Sequence, residues 1–338
     1  MKWVSLQPQK ISAPNTSTLV GNTDDQSLLS EVLKLISSAD EVVIICSFLI
    51  ASSEVGSAVR KAAERGVRVY VLTSAESALN DGKWFLTDTD RALEAKHRGA
   101  LNELSHFAQV RSSPHWHAKF ILVDPHTKPG GLLLSANLNS HALRSSPEIA
   151  VRLREEEVKA LFRIARYTYW SASSEIRRGV WSTSTQNRSL SQLSESPDVI
   201  STVRNSSAVL SFMRDQLSES KYVVLTSYSI DSSSVVMEEL RTFAKKGGPV
   251  TVICHPSKNN ASSLRELSEM QCKVLGIEWL HAKFLDSGGD NVLMVSQNLD
   301  APTNRPRLET GLVLRKEHAA DARTWLDYWT KTAEWVLQ

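Results

Sequence analysis

The sequence contains little cysteine, and its cysteines follow no ligand or disulfide pattern. There are three, Cys46, Cys254 and Cys272, and no two of them form a CxxC pair. An odd number without that spacing argues against a disulfide framework and against a zinc site, and it favours reduced thiols in a cytosolic compartment. We therefore expect a cytoplasmic protein.

A charge imbalance and a long apolar segment are also absent. The 39 Lys and Arg residues against 37 Asp and Glu give a net charge of +2, so any site for a polyanion must be local. The N-terminus has no signal-peptide core, and the longest apolar run, VVIICSFLIA, is about half the length that spans a bilayer. We expect no integral membrane association. A chain of 338 residues is long enough to form two hydrophobic cores.

The most informative feature is an internal repeat. The segment ADEVVIICSFLIASSEVGSAVRKAAERGVRVYVLTS has the same pattern as SKYVVLTSYSIDSSSVVMEELRTFAKKGGPVTVICH: a strand, an amphipathic helix and a second strand. Ser52 or Ser53 can cap the first helix and Gly66 can end it, while Asp231 and Gly247 suit the same positions in the second copy. A strand–helix–strand order implies parallel strands with a right-handed crossover.

Both copies continue in the same way. A strand carrying HAKF precedes a strand ending in SAN or SQN and a strand beginning at Glu148 or Glu309. A helix rich in aromatic residues, about 155–169 or 317–336, then closes each half. The fold class expected is α/β, with two pseudo-symmetric halves packed as a pseudo-dimer, each a mixed, mostly parallel sheet flanked by helices.

The composition also suggests domain boundaries. We assign the halves to residues 1–172 and 197–338, joined by 173–196, a polar, Ser/Thr-rich linker without apolar periodicity. Residues 75–104 have no counterpart of equal length in the second half. They are expected to be an elaboration of the kind that shapes substrate access.

A set of polar residues occurs twice. In an extended strand, residues two apart point to the same face, so the His and Lys of each HxK project together, and the Asn comes from the next strand. The Asn-to-Glu separation is eleven residues in both copies (148 − 137 and 309 − 298). The first set is His117, Lys119, Asn137 and Glu148, and the second is His281, Lys283, Asn298 and Glu309.

This set suits chemistry on a phosphodiester. Ammonium and amide groups can hold the non-bridging oxygens and neutralise charge that builds up on phosphorus. One histidine can attack phosphorus while the other protonates the leaving oxygen. A carboxylate on each ring would fix its tautomer, the role we assign to Glu148 and Glu309. Because the lysines replace a metal electrostatically, we expect neither a metal nor another cofactor.

These motifs resemble the phospholipase D superfamily, whose signature is HxKxxxxD followed by a GSxN-like element. HAKFILVD with SANL matches it, and HAKFL with SQNL matches apart from one element. The resemblance implies that the two motifs build one active site, so a monomer suffices, and that the reaction passes through a phosphohistidine. It implies His117 as nucleophile and His281 as acid and later base for water. It also implies that Glu309 orients His117 and that Glu148 orients His281.

The second copy departs from the motif. Gly288 stands where the signature places Asp, and Asp286 comes two residues earlier. In the family this Asp, here Asp124 in the first copy, supports the site away from the phosphate, so we expect a shortened strand and not a dead site. Ser135 and Ser296 are the remaining supporting residues.

Neighbouring residues allow two interpretations each. Trp116 and Trp279 lie just before the motif histidines and could stack on a base, although a core position is the commoner role. Arg144, Arg305 and Arg307 follow the asparagines and could clamp flanking phosphates, with solvated loop charges as the equal alternative.

Two further alternatives concern the whole site. The chain could be an inert pseudo-enzyme that kept its fold, although all six inner residues are present. His115, His117 and His126 could form a metal cluster, but the motif strand explains this HxH pattern better.

The substrate follows from the form of the motif. Lipid synthases of the superfamily commonly carry N-terminal membrane segments and an HRK motif, and this chain has neither. HAK with SANL or SQNL looks more like nuclease members, including those attached to helicases or encoded in bacterial restriction and defence systems. We predict a metal-independent DNA nuclease of a defence or repair system, acting alone or with a helicase, translocase or recognition subunit. The alternatives are a phospholipid hydrolase or phosphatidyl-transferase and a non-catalytic nucleic-acid-binding subunit.

Overall fold

The computed structural model describes residues 2–23, 27–74, 88–113, 115–184, 196–203, 205–257, 260–299 and 307–338. These ranges contain two sheets of nine strands. The first sheet, in spatial order, is β10 (Val180–Thr183), β9 (Ser174–Arg177), β5 (Gln109–Ser113), β4 (Arg68–Ser74), β3 (Val42–Cys46), β6 (Phe120–Val123), β7 (Gly130–Leu134), β8 (Ile149–Arg152) and β2 (Leu19–Gly21). The second is β1 (Trp3–Ser5), β18 (Trp335–Leu337), β14 (Lys273–Gly276), β13 (Val250–Cys254), β12 (Val223–Ser227), β15 (Phe284–Asp286), β16 (Asn291–Val295), β17 (Thr310–Arg315) and β11 (Val199–Ser201).

The helices fall into two matching sets. The first half contains α1 (Leu28–Ser37), α2 (Ser53–Glu64), α3 (Asp88–Leu104), α4 (Ser140–Arg144) and α5 (Glu155–Ser171). The second half contains α6 (Ala208–Ser218), α7 (Val235–Lys245), α8 (Ala261–Glu269) and α9 (Glu317–Thr332). The expected α/β fold with two halves and mixed sheets is confirmed.

The balance of strand directions differs from the prediction. Only β3, β4 and β5, and their counterparts β12, β13 and β14, pair in parallel. The motif strands β6, β7 and β8, like β15, β16 and β17, run antiparallel to their neighbours. The expected predominance of parallel strands is therefore wrong, because consecutive strands joined by short turns can pair only antiparallel, whereas parallel pairs need a long crossover.

Local capping chemistry sets where the repeated helices begin. Ser52 accepts a hydrogen bond from a backbone N–H in the first turn of α2, as predicted, and Gly66 follows that helix at φ 90°. In the second copy the cap is Ser234 and not Asp231. Asp231 instead begins a turn: its backbone carbonyl accepts the N–H of Ser234 (3.1 Å), and its carboxylate accepts the N–H of Ser233 (2.8 Å), so the helix starts after Ser234.

The two halves share a central core. Helices α5 and α9 lie between the sheets, and their apolar faces join one cluster with inward-facing strand residues, including Phe120, Leu161, Phe284, Trp325 and Trp329. Separate clusters pack α1–α4 on the outer face of the first sheet and α6–α8 on that of the second. Since the central cluster takes residues from both halves, the halves stabilise each other.

The chain after α9 also differs from the prediction. The helix ends at Thr332, and residues 335–337 form β18 instead of extending the helix to Val336. Strand β18 pairs with β1 and β14, so tertiary hydrogen bonds outweigh the local helical pattern.

Other segments singled out in the sequence lie partly outside the described residues. These are 75–87 of the predicted elaboration, whose remainder contains α3, and 185–195 of the polar stretch. Earlier in that stretch, β9 and β10 form an antiparallel hairpin on the edge of the first sheet. Among the helices that the structure describes, none is long and apolar enough to cross a membrane.

Candidate active site

The two motif histidines lie where the halves meet. Each HxK segment lies outside regular secondary structure and directly precedes its strand, so β6 and β15 begin only at Phe120 and Phe284. The backbone N–H of His117 donates to the carbonyl of Leu308 (3.0 Å), and that of His281 donates to the carbonyl of Pro147 (3.1 Å). Pro147 immediately precedes Glu148, and Leu308 immediately precedes Glu309. Each half therefore holds the other half's histidine through the backbone as well as through side chains.

The side-chain contacts cross in the same way. Nδ1 of His117 lies 2.9 Å from Oε1 of Glu309, and Nδ1 of His281 lies 3.0 Å from Oε1 of Glu148. Both carboxylates are buried. The crossed contacts expected from the resemblance are thus present.

The two serines hold these carboxylates. Ser135 Oγ donates a short hydrogen bond to Glu148, and Ser296 Oγ donates one to Glu309. Each hydroxyl in turn accepts the backbone N–H of the residue after the glutamate, at 2.9 Å for Ser135 and 3.0 Å for Ser296. The hydroxyls are therefore satisfied as donor and acceptor, and the carboxylates are fixed by two partners each.

The lysines lie beneath the rings. Lys119 and Lys283 are each 1% exposed, and their Nζ atoms donate to the carbonyls of His117 (2.8 Å) and His281 (2.6 Å). Nζ of Lys119 also lies 3.5 Å from both ring nitrogens of His117. Burial lowers the pKa of Lys119 to about 7, opposed by the charge of Glu309 and aided by that of Lys283. A phosphate anion near these ammonium groups would favour their charged form.

Burial also sets the protonation of the rings. Burial lowers the pKa of His117 to about 3. The negative charge of Glu309 opposes this shift, and the positive charge of Lys119 adds to it. Burial also lowers the pKa of His281. Burial opposes ionisation of Glu309, but His117 and Lys119 outweigh it and hold the pKa of Glu309 at about 2. A neutral ring beside an ionised carboxylate carries its proton on Nδ1, since the carboxylate can only accept. Nε2 of each histidine then has a free lone pair.

The asparagines contribute buried amides. Oδ1 of Asn137 and Oδ1 of Asn298 are buried without a hydrogen-bond partner in the described part of the chain. Both residues follow the motif serines by two positions, at the ends of β7 and β16. A buried amide oxygen without a donor is costly, and the amide nitrogen of each residue is the group that could donate to a phosphate oxygen.

The two aspartates are structural. The carboxylate of Asp124 accepts backbone N–H groups at the start of β3, including that of Asp40 at 2.7 Å, and so lies away from the histidines. Asp286 is instead bonded by Arg323 (3.1 Å) and by the Tyr222 hydroxyl (2.9 Å). Strand β15 is one residue shorter than β6, which agrees with the shortening inferred from Gly288.

The two tryptophans have different environments. Trp116 is 1% exposed, and its ring packs edge-on against Phe120 in the central cluster, which favours its core interpretation over base stacking. Trp279 is 47% exposed beside the second motif.

The arginines also differ. Arg144 pairs with Glu54 on the surface at 3.0 Å. Arg307 directly precedes Leu308, whose carbonyl accepts the backbone N–H of His117, so this arginine lies near the site. Arg305 lies outside the described residues.

Sequence reasoning missed the aromatic residues that flank the histidines. The ring of Phe48 lies 5.3 Å from that of His117, and the ring of Tyr228 lies 5.3 Å from that of His281. Both follow the first strand of the repeat, in CSF and TSY, so the repeat alignment contained the signal. No group of three His, Cys, Asp or Glu residues suited to a metal occurs in the described ranges, and His126 packs on Phe162.

Comparison with known proteins places this site in a recognised fold. Residues 32–165 match a family model described as cardiolipin synthase, phospholipase D-like domain. The structure resembles phosphatidylserine synthase from Haemophilus influenzae, with a TM-score of 0.58 and 14% identity over 95% of this chain and 89% of that chain. It also resembles yeast tyrosyl-DNA phosphodiesterase, with a TM-score of 0.51 and 11% identity over 89% and 90% of the two chains.

A third similar structure is polyphosphate kinase from Porphyromonas gingivalis, with a TM-score of 0.55 and 15% identity. The match covers 88% of this chain but only 47% of the kinase. No curated protein sequence matches the chain. The fold is phospholipase D-like with two halves, and the domain matched over residues 32–165 supports the phospholipase D superfamily.

Proposed function

We propose that the protein is a metal-independent phosphodiesterase that cleaves DNA through a phosphohistidine intermediate. One observation carries this proposal: Nδ1 of each motif histidine is hydrogen-bonded to Oε2 of the opposite half's glutamate, at 3.1 Å for His117 and 3.2 Å for His281. Because Nδ1 of each neutral ring carries the proton, each Nε2 atom can act as a nucleophile or as a base, next to a pair of buried lysines. One chain supplies the full set, so a monomer suffices.

In the first step Nε2 of His117 attacks phosphorus, and the bond from phosphorus to the leaving oxygen breaks. The Nδ1 proton remains shared with Glu309, which stabilises the positive charge that forms on the ring. His281 gives its Nε2 proton to the leaving oxygen. The proton is available because the negative phosphodiester and Glu148 favour the charged form of this ring.

In the second step His281 acts as a base. It removes a proton from water, the resulting hydroxide attacks the phosphohistidine, and the bond from phosphorus to His117 breaks. The products are a phosphomonoester and the original enzyme. Lys119, Lys283 and the amides of Asn137 and Asn298 hold the non-bridging oxygens in both steps.

DNA is proposed because of the motif form, HAK with SANL or SQNL, and because the histidine–carboxylate site requires only a phosphodiester. A second candidate, a phospholipid hydrolase or phosphatidyl-transferase, is favoured by the matched domain, whose description names a lipid synthase. A role in defence or repair, with a helicase or recognition partner, belongs to the first candidate. A non-catalytic nucleic-acid-binding role is the third.

The test is cleavage of end-labelled single-stranded and duplex DNA in EDTA by wild type, His117→Ala and His106→Ala. His106 is an exposed histidine outside the site and serves as the matched control. Cutting that persists in EDTA, disappears in His117→Ala and survives in His106→Ala supports the proposal. An acid-labile ³²P label on wild type alone would identify the intermediate. Turnover of phospholipid vesicles without DNA cleavage would favour the second candidate.

A further inference from the structure

Three aromatic rings form a stack beside the second motif. The rings of Tyr228 and His255 are nearly parallel, with centroids 5.0 Å apart and an interplanar angle of 8°. His255 and Trp279 continue the stack at 5.3 Å and 17°. The backbone N–H of Trp279 donates to Nδ1 of His255 at 3.1 Å, and this hydrogen bond holds the two residues next to each other. These three residues are called the aromatic stack below.

The aromatic stack joins the reaction centre to solvent. At its inner end Tyr228 meets the ring of His281 edge-on, with centroids 5.3 Å apart. At its outer end Trp279 is 47% exposed, and its ring lies at right angles to that of His141 from the other half, with centroids 5.6 Å apart. The stack therefore ends in a large aromatic ring that is braced by its neighbours and still open to a ligand.

The backbone at Trp279 is strained. Its φ is 60°, a left-handed conformation that is unfavourable for a bulky residue. Such strain persists only where surrounding contacts impose it, and it is concentrated at functional sites. Here the contacts with His255 and His141 hold a bulky ring in an exposed position that hydrophobic burial alone would not select.

The described residues of the first half show no such stack. By strand register, Ser74 is the counterpart of His255, because Leu72 pairs with Cys46 as Ile253 pairs with Thr226. His115 stands two residues before its motif histidine, where Trp279 stands in the second half. The site is therefore symmetric in its His, Lys, Asn and Glu residues and asymmetric in its aromatic rim.

We propose that the exposed part of the Trp279 ring stacks a nucleobase on the leaving-group side of the scissile phosphodiester. This inference rests on the proposed nuclease function, in which His281, the histidine at the inner end of the stack, protonates the leaving oxygen. A planar π-face binds any base without reading its hydrogen-bonding edge, so it gives affinity without sequence specificity. The other strand segment, on the His117 side, has no equivalent platform among the described residues.

The test uses a short single strand in which one phosphodiester is natural and the rest are methylphosphonates, so that cleavage has one position. An abasic residue replaces the nucleotide on one side of that bond or on the other. The fragment that remains on the trapped enzyme identifies the side that does not leave. The measured quantity is the ratio of kcat/KM for the intact strand to kcat/KM for each abasic strand.

In wild type, loss of the leaving-side base should lower kcat/KM about 5- to 150-fold, the range for base stacking of roughly 1–3 kcal/mol. In Trp279→Ala that ratio should fall close to one, and in Trp279→Phe it should be intermediate. His115→Ala, the counterpart position, should keep the wild-type ratio. A variant that loses activity in general has a lower kcat/KM for both strands, so the ratio stays the same. Only the loss of base stacking changes the ratio.

Each other outcome overturns the inference. A wild-type ratio near one, a dependence on the opposite base, or an undiminished ratio in Trp279→Ala would reject the stacking site while leaving the nuclease proposal intact. Absence of cleavage of every strand by wild type would reject the nuclease proposal, and this inference with it.

Discussion

Glu309 lies 2.9 Å from the Nδ1 atom of His117, although 192 positions separate the two residues in the chain. The reciprocal contact joins Glu148 to His281 at 3.0 Å. Neither half can therefore orient its own histidine. Since all the proposed chemistry depends on ring orientation and tautomer, the pseudo-dimer is the functional unit, and the central core that joins the halves is part of the mechanism.

The crossed pairs predict different kinetic defects for two equivalent substitutions. Glu309→Gln should slow formation of the phosphohistidine, and Glu148→Gln should slow both departure of the leaving group and hydrolysis of the intermediate. We expect losses of about 10²- to 10⁴-fold in the affected step, because the wrong tautomer disables the histidine. Single-turnover kinetics with trapping separates the steps. Glu103→Gln, on the exposed surface of α3, is the control, and equal defects of one step in both variants would contradict the assignment.

The buried lysine predicts the pH dependence of activity. Burial lowers the pKa of Lys119 to about 7, so in the free enzyme its charge is lost as the pH rises through that value. His117, with its pKa at about 3, is already neutral over this range. We expect kcat/KM, which reports the free enzyme, to fall on the alkaline side with a midpoint no higher than about 7. A profile that stays flat to pH 9 would show that the charged form of Lys119 is not required.

The buried histidine predicts acid sensitivity of the fold. The pKa of His117 is lowered from 6.5 to about 3, so between these values the unfolded chain binds a proton that the folded protein does not. Stability is therefore lost as the pH falls from 6.5, by an amount on the order of 3 kcal/mol at pH 4 for this group alone. Urea unfolding at the two pH values measures this difference. His117→Asn should reduce it, whereas His106→Asn should leave it as in wild type.

Two glycine substitutions should have opposite effects on the stability of the protein, because one lies at the interface between the halves and the other in an open helix position. A Cβ at Gly21 in β2 would collide with the ring of Trp325, which is 2% exposed in the central core. Gly21→Ala should destabilise the protein by about 1–3 kcal/mol, as overpacking does. Gly56→Ala, inside α2 with open space around the new methyl group, should stabilise it by about 0.5–1 kcal/mol. Thermal unfolding of both variants provides the measurement, and a stable Gly21→Ala protein would show that this contact is loose.

Much of the candidate site could be predicted from the sequence because its residues come in local patterns. His and Lys two residues apart, Asn at the end of the following strand, and Glu eleven residues later need only the geometry of an extended chain to be recognised. The repeat revealed the two halves for the same reason: each copy has the periodicity and caps of its own strand–helix–strand unit.

Other features depend on neighbours that no local pattern contains. The strand at 335–337 was decided by partners from other segments, β1 and β14. The aromatic stack unites residues from three separate loops with one from the opposite half. The sequence by itself determined which functional groups the protein carries and that they occur twice. Only the tertiary structure decided that each glutamate contacts the other half's histidine and that Tyr228, His255 and Trp279 stack beside the second motif, because these relations are contacts between distant segments, where packing selects the partners.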